Sequence, residues 1–402
     1  MELRNTHFPR RIYRMHYNTI MNQLQTFFPR HQFENLVNKY SGNRYVKNFT
    51  CWNQFTVMLY AQSSGKDSLR DIQNSFLAQE PKMYHLGLSK VRRSTLADAN
   101  QTRNYAIYEE LFYEMVERCK RITPKHKFKF KNPMFVFDAT VIDLCLSAFP
   151  WAKFRAAKGA LKLHCQFDHS GNIPTFMVAT DGKQHEIKVA RSFFDISADS
   201  IYCVDRGYID FAWLYSIETA DAFFVTRAKD NMKYTVVGQH SLPQKNAVIS
   251  DEIIALTCFY PKQKYPKELR LIKYYDKETD KLLVFMTNNF QLAAFTIAQI
   301  YKARWQIEAF FKWIKQNLKI KTFLGTSKNA VLTQVWIAMC YYLILAYIKY
   351  QSKYKYSLFY LHKIIREMLL EHCHLIDLLS LNDKLLSKIK NTDQQLTLAL
   401  NF

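Results

Sequence analysis

Phe135-Val136-Phe137-Asp138-Ala139-Thr140-Val141-Ile142-Asp143-Leu144-Cys145-Leu146 decides how the rest of the chain is read. A long apolar run of this kind is expected of a central strand. An acid, Asp138, interrupts it. An unpaired carboxylate there costs several kcal/mol or takes up a proton, and a bound cation removes that cost. A hydrogen-bonded structural role would also account for a single acid in a strand. Downstream, Leu161-Lys162-Leu163-His164-Cys165-Gln166-Phe167-Asp168 alternates cleanly, and His169-Ser170-Gly171-Asn172 supplies turn chemistry before a strand over 175–179. Three successive antiparallel strands follow.

A helical stretch near 187–194 precedes "SIYCVD", a short buried strand ending on Asp205, with Gly207 for the turn. Helix 209–219 and strand 222–227 complete the order β-β-β-α-β-α-β, that of an RNase H-like core. "KYTVVG", "VISDEIIAL" and "LRLIKYYD" then read as a β-rich insertion over 229–281, and "LLVFMTNN" returns to the core. The expected fold is therefore α/β: an RNase H-like catalytic core with a β-rich insertion, an all-helical N-terminal domain before it and a helical tail after it. The expected divisions are 1–125, 126–228, 229–284, 285–350 and 351–402.

The N-terminal part is helical from 17 to about 121, with a helix at 51–62, a turn at Gly65-Lys66-Asp67 and a second helix at 68–76. Ser94 is placed to cap a helix running to about 103, with Lys90, Arg92 and Arg93 crowding its positive N-terminal end. Helix-turn-helix docking would put Arg92 and Arg93 on DNA; a plain helical bundle with a basic rim explains the same residues. "PKHKFKFKNP" at 124–133 is a basic, proline-bounded linker. The leucine-rich tail from 351 suits packing or self-association.

At 402 residues with 49% apolar and 15% aromatic content, the chain has material for two or three cores and is not disordered. A surplus of 22 positive charges favours a polyanionic partner. The start, "MELRNTHFPRRIYRMHYN", has no apolar signal region, so the chain is expected to stay in the cytoplasm. The apolar run at 335–348 is too short to span a bilayer and reads as a buried helix. The eight cysteines show no C-x2-C pair, and His372-Cys373-His374 lacks a fourth ligand at usual spacing, so no zinc site is expected.

A helix expected over 293–318 carries the second decisive stretch. At about 100° per residue, Tyr301, Arg304, Glu308 and Lys315 share an arc of roughly 60°. Ile300, Ala303, Ile307, Phe311, Ile314 and Leu318 form an apolar stripe beside it. Such a row lets the carboxylate hold a metal while the cations and the phenol grip phosphate oxygens. An amphipathic surface helix with an ordinary Arg304–Glu308 pair is the plainer reading.

The spacing Tyr-x2-Arg-x3-Glu-x6-Lys resembles the signature of bacterial insertion-sequence transposases of the DDE class. "FVFDATVIDLCLSAFPWAKFR", "SIYCVDRGYIDF" and "TFLGTSKNAVLTQVW" resemble the same family in the same order, and 48–103 resembles its N-terminal region. The resemblance implies that Asp138, Asp205 and Glu308 are the catalytic, metal-binding acids, holding two Mg²⁺ ions with Mn²⁺ able to substitute. It implies that Tyr301, Arg304 and Lys315 hold the DNA backbone. Lys312, Arg206, Lys158 and Lys162 are further candidates by position alone, and Asp143 and Asp210 are acids the motif does not claim.

The activity implied is hydrolysis at transposon ends followed by attack of the freed 3′-hydroxyl on target DNA, by a homodimer in a synaptic complex. Its partner is double-stranded DNA, with no membrane and no small-molecule substrate. Some relatives are thought to stack a tryptophan from the insertion on a flipped base. Here all six tryptophans lie outside 229–281, a departure that leaves a hairpin step without its residue. Two other readings stand beside this one: a DNA-binding protein derived from a transposase that no longer cuts, and a metal-dependent nuclease of the same fold that does not join strands.

Overall fold

The structure is a computed structural model that describes residues 18–380, apart from 89, 156–157, 242–246, 319 and 321. The outer parts of the expected N-terminal domain and of the helical tail lie outside the described residues. Local signals set the first helices: α1 (Ile20–Thr26), α2 (Arg30–Lys39), α3 (Cys51–Ser64), α4 (Leu69–Ala78), α5 (Glu80–Met83), α6 (Arg93–Thr102) and α7 (Ala106–Lys120). Thr50 and Asn53 form a capping box at α3, Gly65 ends that helix in the left-handed region at φ 70°, and Ser68 caps α4. Ser94 does not cap α6: the helix starts two residues earlier than such a cap implies, with Arg92 at the N-cap and no side-chain cap. Gln73 Oε1 from α4 accepts the Arg93 N–H at 2.8 Å, so a neighbouring helix satisfies one of the free donors of the first turn.

The central part is mixed α/β. Its elements are β1 (Met134–Leu144), β2 (Lys153–Arg155), β3 (Lys158–Asp168), β4 (Ile173–Asp181), α8 (Glu186–Phe193), β5 (Ile201–Val204), α9 (Phe211–Thr219) and β6 (Phe223–Arg227). Then come β7 (Tyr234–Gln239), β8 (Val248–Leu256), α10 (Phe259–Lys264), β9 (Leu269–Asp276) and β10 (Lys281–Thr287). They form one sheet in the order β4-β3-β1-β5-β6-β10-β9-β8-β7, with short β2 also paired to β3. β1 runs antiparallel to β3 and parallel to β5, which runs parallel to β6. The strands of 229–284 are β-rich as expected, but they extend this sheet through β10 rather than forming a separate layer. The expected boundary at 284 falls inside β10.

Alternation along the strands builds two cores. Met134, Val136, Cys203 and Val225 point to one side of the sheet, and Phe137, Tyr202, Val204 and Phe224 to the other. On the first side lie α11 (Ala294–Ala303), α12 (Trp305–Asn317), α13 (Lys328–Gln351) and α14 (Leu358–Met368). The second side is covered by α8 and α9. The expected single helix over 293–318 is divided at Arg304. α13 contains the apolar run 335–348 and is long and apolar enough to cross a membrane by length and composition, yet it is almost wholly buried between α3, α7 and the sheet. The C-terminal segment returns to α1, where the Ile20 and Met21 N–H groups donate to Glu371 O and Leu369 O at 3.1 and 2.7 Å.

One buried ion pair joins the extended part of the sheet to the segment before α11. Arg270 on β9 and Asp251 on β8 are each 4% exposed, in a bidentate pair at 2.8 and 2.7 Å. Arg270 Nη1 also donates to Asn289 O and Leu292 O at 3.0 and 2.6 Å. Removing one partner leaves an uncompensated buried charge, so Asp251→Ala should lower unfolding stability by about 3–5 kcal/mol, read from urea denaturation; a change within error would show the pair to be dispensable.

Two buried histidines give a pH dependence. Burial, with Lys162 beside one and Arg366 beside the other, holds His164 and His362 down at about 4, against an ordinary 6.5. The folded imidazoles stay neutral where the unfolded chain takes up protons. Their contribution is complete above pH 6.5 and declines as pH falls toward 4, by up to about 3 kcal/mol for each histidine. Urea midpoints should drop across that window, and less steeply in His362→Gln; an identical slope would exclude His362 as a contributor.

Candidate active site

Register brings the two aspartates together. Phe137 on β1 lies opposite Val204 on β5 in a parallel ladder, so one residue further on Asp138 and Asp205 are neighbours on the same sheet face, on strands about 4.8 Å apart. Asp205 follows the last residue of β5, and its Oδ1 accepts the Gly207 N–H at 2.7 Å. Glu308 enters from the first turn of α12, which lies over β1. Between α11 and α12 the backbone tightens at Arg304: its N–H bonds to Tyr301 O and its carbonyl accepts from Ile307, both at 3.1 Å, an i→i−3 pattern.

That turn aims Arg304 at the acids. Its Nη1 lies 3.3 Å from Asp138 Oδ2 and its Nη2 lies 2.5 Å from Glu308 Oε1, with the three side chains 17%, 16% and 33% exposed. Asp138 Oδ1 accepts the Ala139 N–H at 2.8 Å. Burial pushes the Asp138 carboxyl from 3.8 up to about 7, against that hydrogen bond and the Arg304 charge, with Asp205 and Glu308 adding repulsion. Burial also works against the Arg304 charge, but Tyr301, Asp138 and Glu308 outweigh it and hold the guanidinium above its ordinary range. Tyr301 packs on Phe285 at 5.0 Å and lies beneath Arg304, whose Cζ is 5.6 Å from its ring centroid.

An open cleft of about 380 Å³ adjoins the pair, lined by Asp138, Thr140, Glu308, Lys312, Lys315 and Gln316 among others. Gln316 went unnoticed in the sequence because, eight residues on from Glu308, it lies about 80° around an ideal helix from it, outside the arc of the motif. Other expected contacts go elsewhere. Cys165 faces Asp138 across β1 and β3, so Lys158 and Lys162, at odd spacings from Cys165, point to the opposite side of the sheet. Lys162 is held there by Glu186 at 2.7 Å. Arg206 pairs with Asp230 at 3.3 Å. Asp210 caps α9 through the Trp213 N–H and pairs with Arg191, and so serves the helix rather than the acids.

Arg92 and Arg93 are exposed at the start of α6. Arg93 lines a surface cleft of about 660 Å³ with Arg70, Ser94 and Asp98. α4 and α6 are connected through α5 and residues 84–92, longer than the short turn of a helix-turn-helix. His372 meets His85 edge to face at 4.7 Å.

Oxygen donors and a buried carboxylate that resists ionisation suit hard cations, and Asp138, Asp205 and Glu308 are the residues that could hold them. Among the described residues no three His, Cys, Asp or Glu are spaced to hold one metal. The positive charge between Asp138 and Glu308 is supplied by Arg304.

Residues 129–344 match the family described as "Transposase DDE domain", and 16–89 match a "Domain of unknown function (DUF4372)". A protein named "Putative transposase y4zB" from Sinorhizobium fredii is 35% identical over 62% of this chain and 69% of its own length. The "Probable transposase for insertion sequence element IS5377" of Geobacillus stearothermophilus is 29% identical, over 66% and 70%. A cryo-EM structure of a piggyBac transposase synaptic complex with hairpin DNA superposes with a TM-score of 0.44 at 11% identity, covering 92% of this chain and 80% of that one.

Loss of the guanidinium leaves two carboxylates facing one another without a cation. In metal-free protein at pH 8, Arg304→Met should cost roughly 1–3 kcal/mol, most of it recovered by adding Asp138→Asn. A double-mutant cycle by urea denaturation measures the coupling, and strict additivity would mean that Arg304 does not serve Asp138.

Proposed function

The chain belongs to the DDE transposases of insertion sequences, and from that premise we propose that Asp138, Asp205 and Glu308 form the site at which it cuts element ends and joins them to target DNA. The observation that carries this is a buried carboxylate in a central strand, sharing its counter-cation with Glu308 and adjoining Asp205. The strand order β4-β3-β1-β5-β6, with β1, β5 and β6 parallel and β3 reversed, supports an RNase H-like core. In the same reading, 1–125 is the helical DNA-binding domain, 126–228 and 285–350 form the core, 229–284 is the insertion and 351–402 the tail.

The three carboxylates would hold two Mg²⁺ ions, or Mn²⁺ in their place. Bound there, the ions would supply charge stabilisation to the oxygens of a phosphoryl transfer. Lys312 and Lys315, on the wall of the same cleft, would take phosphate oxygens of the strand being cut. Arg304 is in this reading a positioning residue: it holds Asp138 and Glu308 toward each other and compensates the Asp138 charge until the ions arrive. Tyr301 supports Arg304 from beneath. The partners would be transposon ends and target DNA in the bacterial cytoplasm, bound by a homodimer that brings two ends together.

Asp138→Ala, Asp205→Ala and Glu308→Ala should each reduce Mg²⁺-dependent cleavage of an element-end duplex by at least about 10³-fold while binding of that duplex persists. Cleavage retained in any one of them removes that residue from the site. Joined product from a 3′-hydroxyl end, absent with a 3′-deoxy end, identifies strand transfer; cleavage without joining would mean a nuclease.

A further inference from the structure

The basic linker between the helical part and the sheet is not solvated evenly. Along Lys125-His126-Lys127-Phe128-Lys129-Phe130-Lys131 every second side chain is half-buried and every lysine is exposed. The rings anchor the segment: His126 lies 4.8 Å from Phe130, Phe128 stacks on Phe130 at 5.1 Å, and Phe128 lies 5.6 Å from His169 in the β3–β4 turn. His126 Nε2 donates to Asn132 O at 2.8 Å. The turn itself is clamped from α13, with Tyr350 and Tyr342 hydroxyls donating to Gly171 O and Asn172 O at 2.5 and 2.7 Å. It meets the start of the linker so closely that a Cβ at Gly171 would lie 2.4 Å from Thr123 Cγ2.

Linker, turn and helix enclose a cleft of about 620 Å³, walled on the third side by Gln299, Lys302 and Gln306. It shares no lining residue with the cleft at the acids. Gln299 and Lys302 stand on α11 and Gln306 on α12, and none of the three lines the cleft that Glu308 and Lys315 line. Lys302 is neutralised by Asp276 and Glu278 at 2.7 and 3.1 Å. Among the described residues no carboxylate pairs with Lys125, Lys127, Lys129 or Lys131. Lys349, on the cleft's far side, donates only to a carbonyl, Tyr356 O, at 2.6 Å. Two buried polar atoms in the lining, His126 Nδ1 and Asn172 Oδ1, have no hydrogen-bond partner. With Nε2 donating to Asn132 O, His126 Nδ1 is the acceptor nitrogen of the neutral ring and donates only as the imidazolium, whereas a flip of the Asn172 amide turns a donor toward a ligand.

We propose that this cleft binds the phosphate backbone of a second duplex-DNA segment, distinct from the one at the acids. A single phosphate ion could meet Lys125 or Lys127 alone; the row continuing through Lys129 and Lys131 calls for a polyanion, which gains by releasing counterions along its length. The inference rests on the reading of the chain as a DNA-acting enzyme, and the test separates the two.

The full chain and its Lys125→Glu/Lys127→Glu variant are titrated with a fluorescent mixed-sequence duplex across a range of NaCl concentrations, and with inorganic phosphate and pyrophosphate as competitors. The variant should bind at least about tenfold more weakly, with a log–log salt slope shallower by about two, near 0.9 for each lost phosphate contact. Lys125→Gln/Lys127→Gln replaces it should charge reversal lower the melting temperature. An unchanged slope, with wild-type protein still cutting element ends, overturns the cleft and leaves the enzyme reading intact. Pyrophosphate displacing DNA as well as unlabelled duplex does, per phosphate, overturns it in favour of a small-anion site. Failure of the wild type to bind duplex at all overturns both readings.

Discussion

A charge that burial resists governs the centre of this molecule. Asp138 sits in β1 beneath α12, where its carboxyl is pushed up to about 7, and the fold keeps it there by bringing a guanidinium to it. That requirement explains the backbone tightening at Arg304, which turns a residue between two helices onto the sheet. It also explains Tyr301, whose partly buried ring lies against Phe285 and beneath the guanidinium. Glu308 shares the same cation at a spacing of four residues, so the two carboxylates are held in place through a single positive group.

The surrounding architecture makes such a centre affordable. β1 is flanked by β3 and β5 and covered on both sides, so Asp138 cannot move outward without breaking two ladders. α13 packs against α3, α7 and α14 and joins the helical part to the core through one continuous apolar interior. On the far edge, Arg270 and Asp251 repeat the same physics with a complete solution: a bidentate pair whose remaining donor reaches two carbonyls. That pair leaves no charge seeking a partner, whereas the Arg304 pair leaves Asp138 resisting ionisation. Only the second is suited to giving way to another cation.

Most of the element order was legible because hydrophobic period and turn chemistry are local properties. The run around Asp138, the alternation from Leu161 and the Gly65 turn each translate directly into strand, strand and helix end. What sequence could not supply was register and direction. Lys162 is close to the aspartates in the chain's layout, yet an odd offset on the pleat sends it through the sheet to Glu186. The Arg304–Glu308 pair was legible from its spacing of four, but Asp138 as the second partner of Arg304 was not. α6 begins two residues before the expected Ser94 cap, where Gln73 on another helix accepts the Arg93 N–H. In each case a tertiary partner decides what local spacing leaves open.

The α11–α12 segment has two polar faces where a packed helix usually has one. Its apolar stripe docks on the sheet through Ile297, Ile300, Ile307 and Ile314, which leaves the flanks on either side open. One flank carries Arg304, Glu308 and Lys315; the other carries Gln299, Lys302 and Gln306. On the first flank opposite charges neutralise one another across the site. On the second, no carboxylate among the described residues pairs with the linker lysines, although carboxylates elsewhere on the surface find partners readily, as Glu110 does with Lys39 and Glu186 with Lys162. An excess of 22 positive charges is therefore not spread as a uniform coat. Where it is concentrated on a segment held rigid by stacked rings, the field is fixed in direction, and a polyanion that meets it loses little further freedom of the protein on binding.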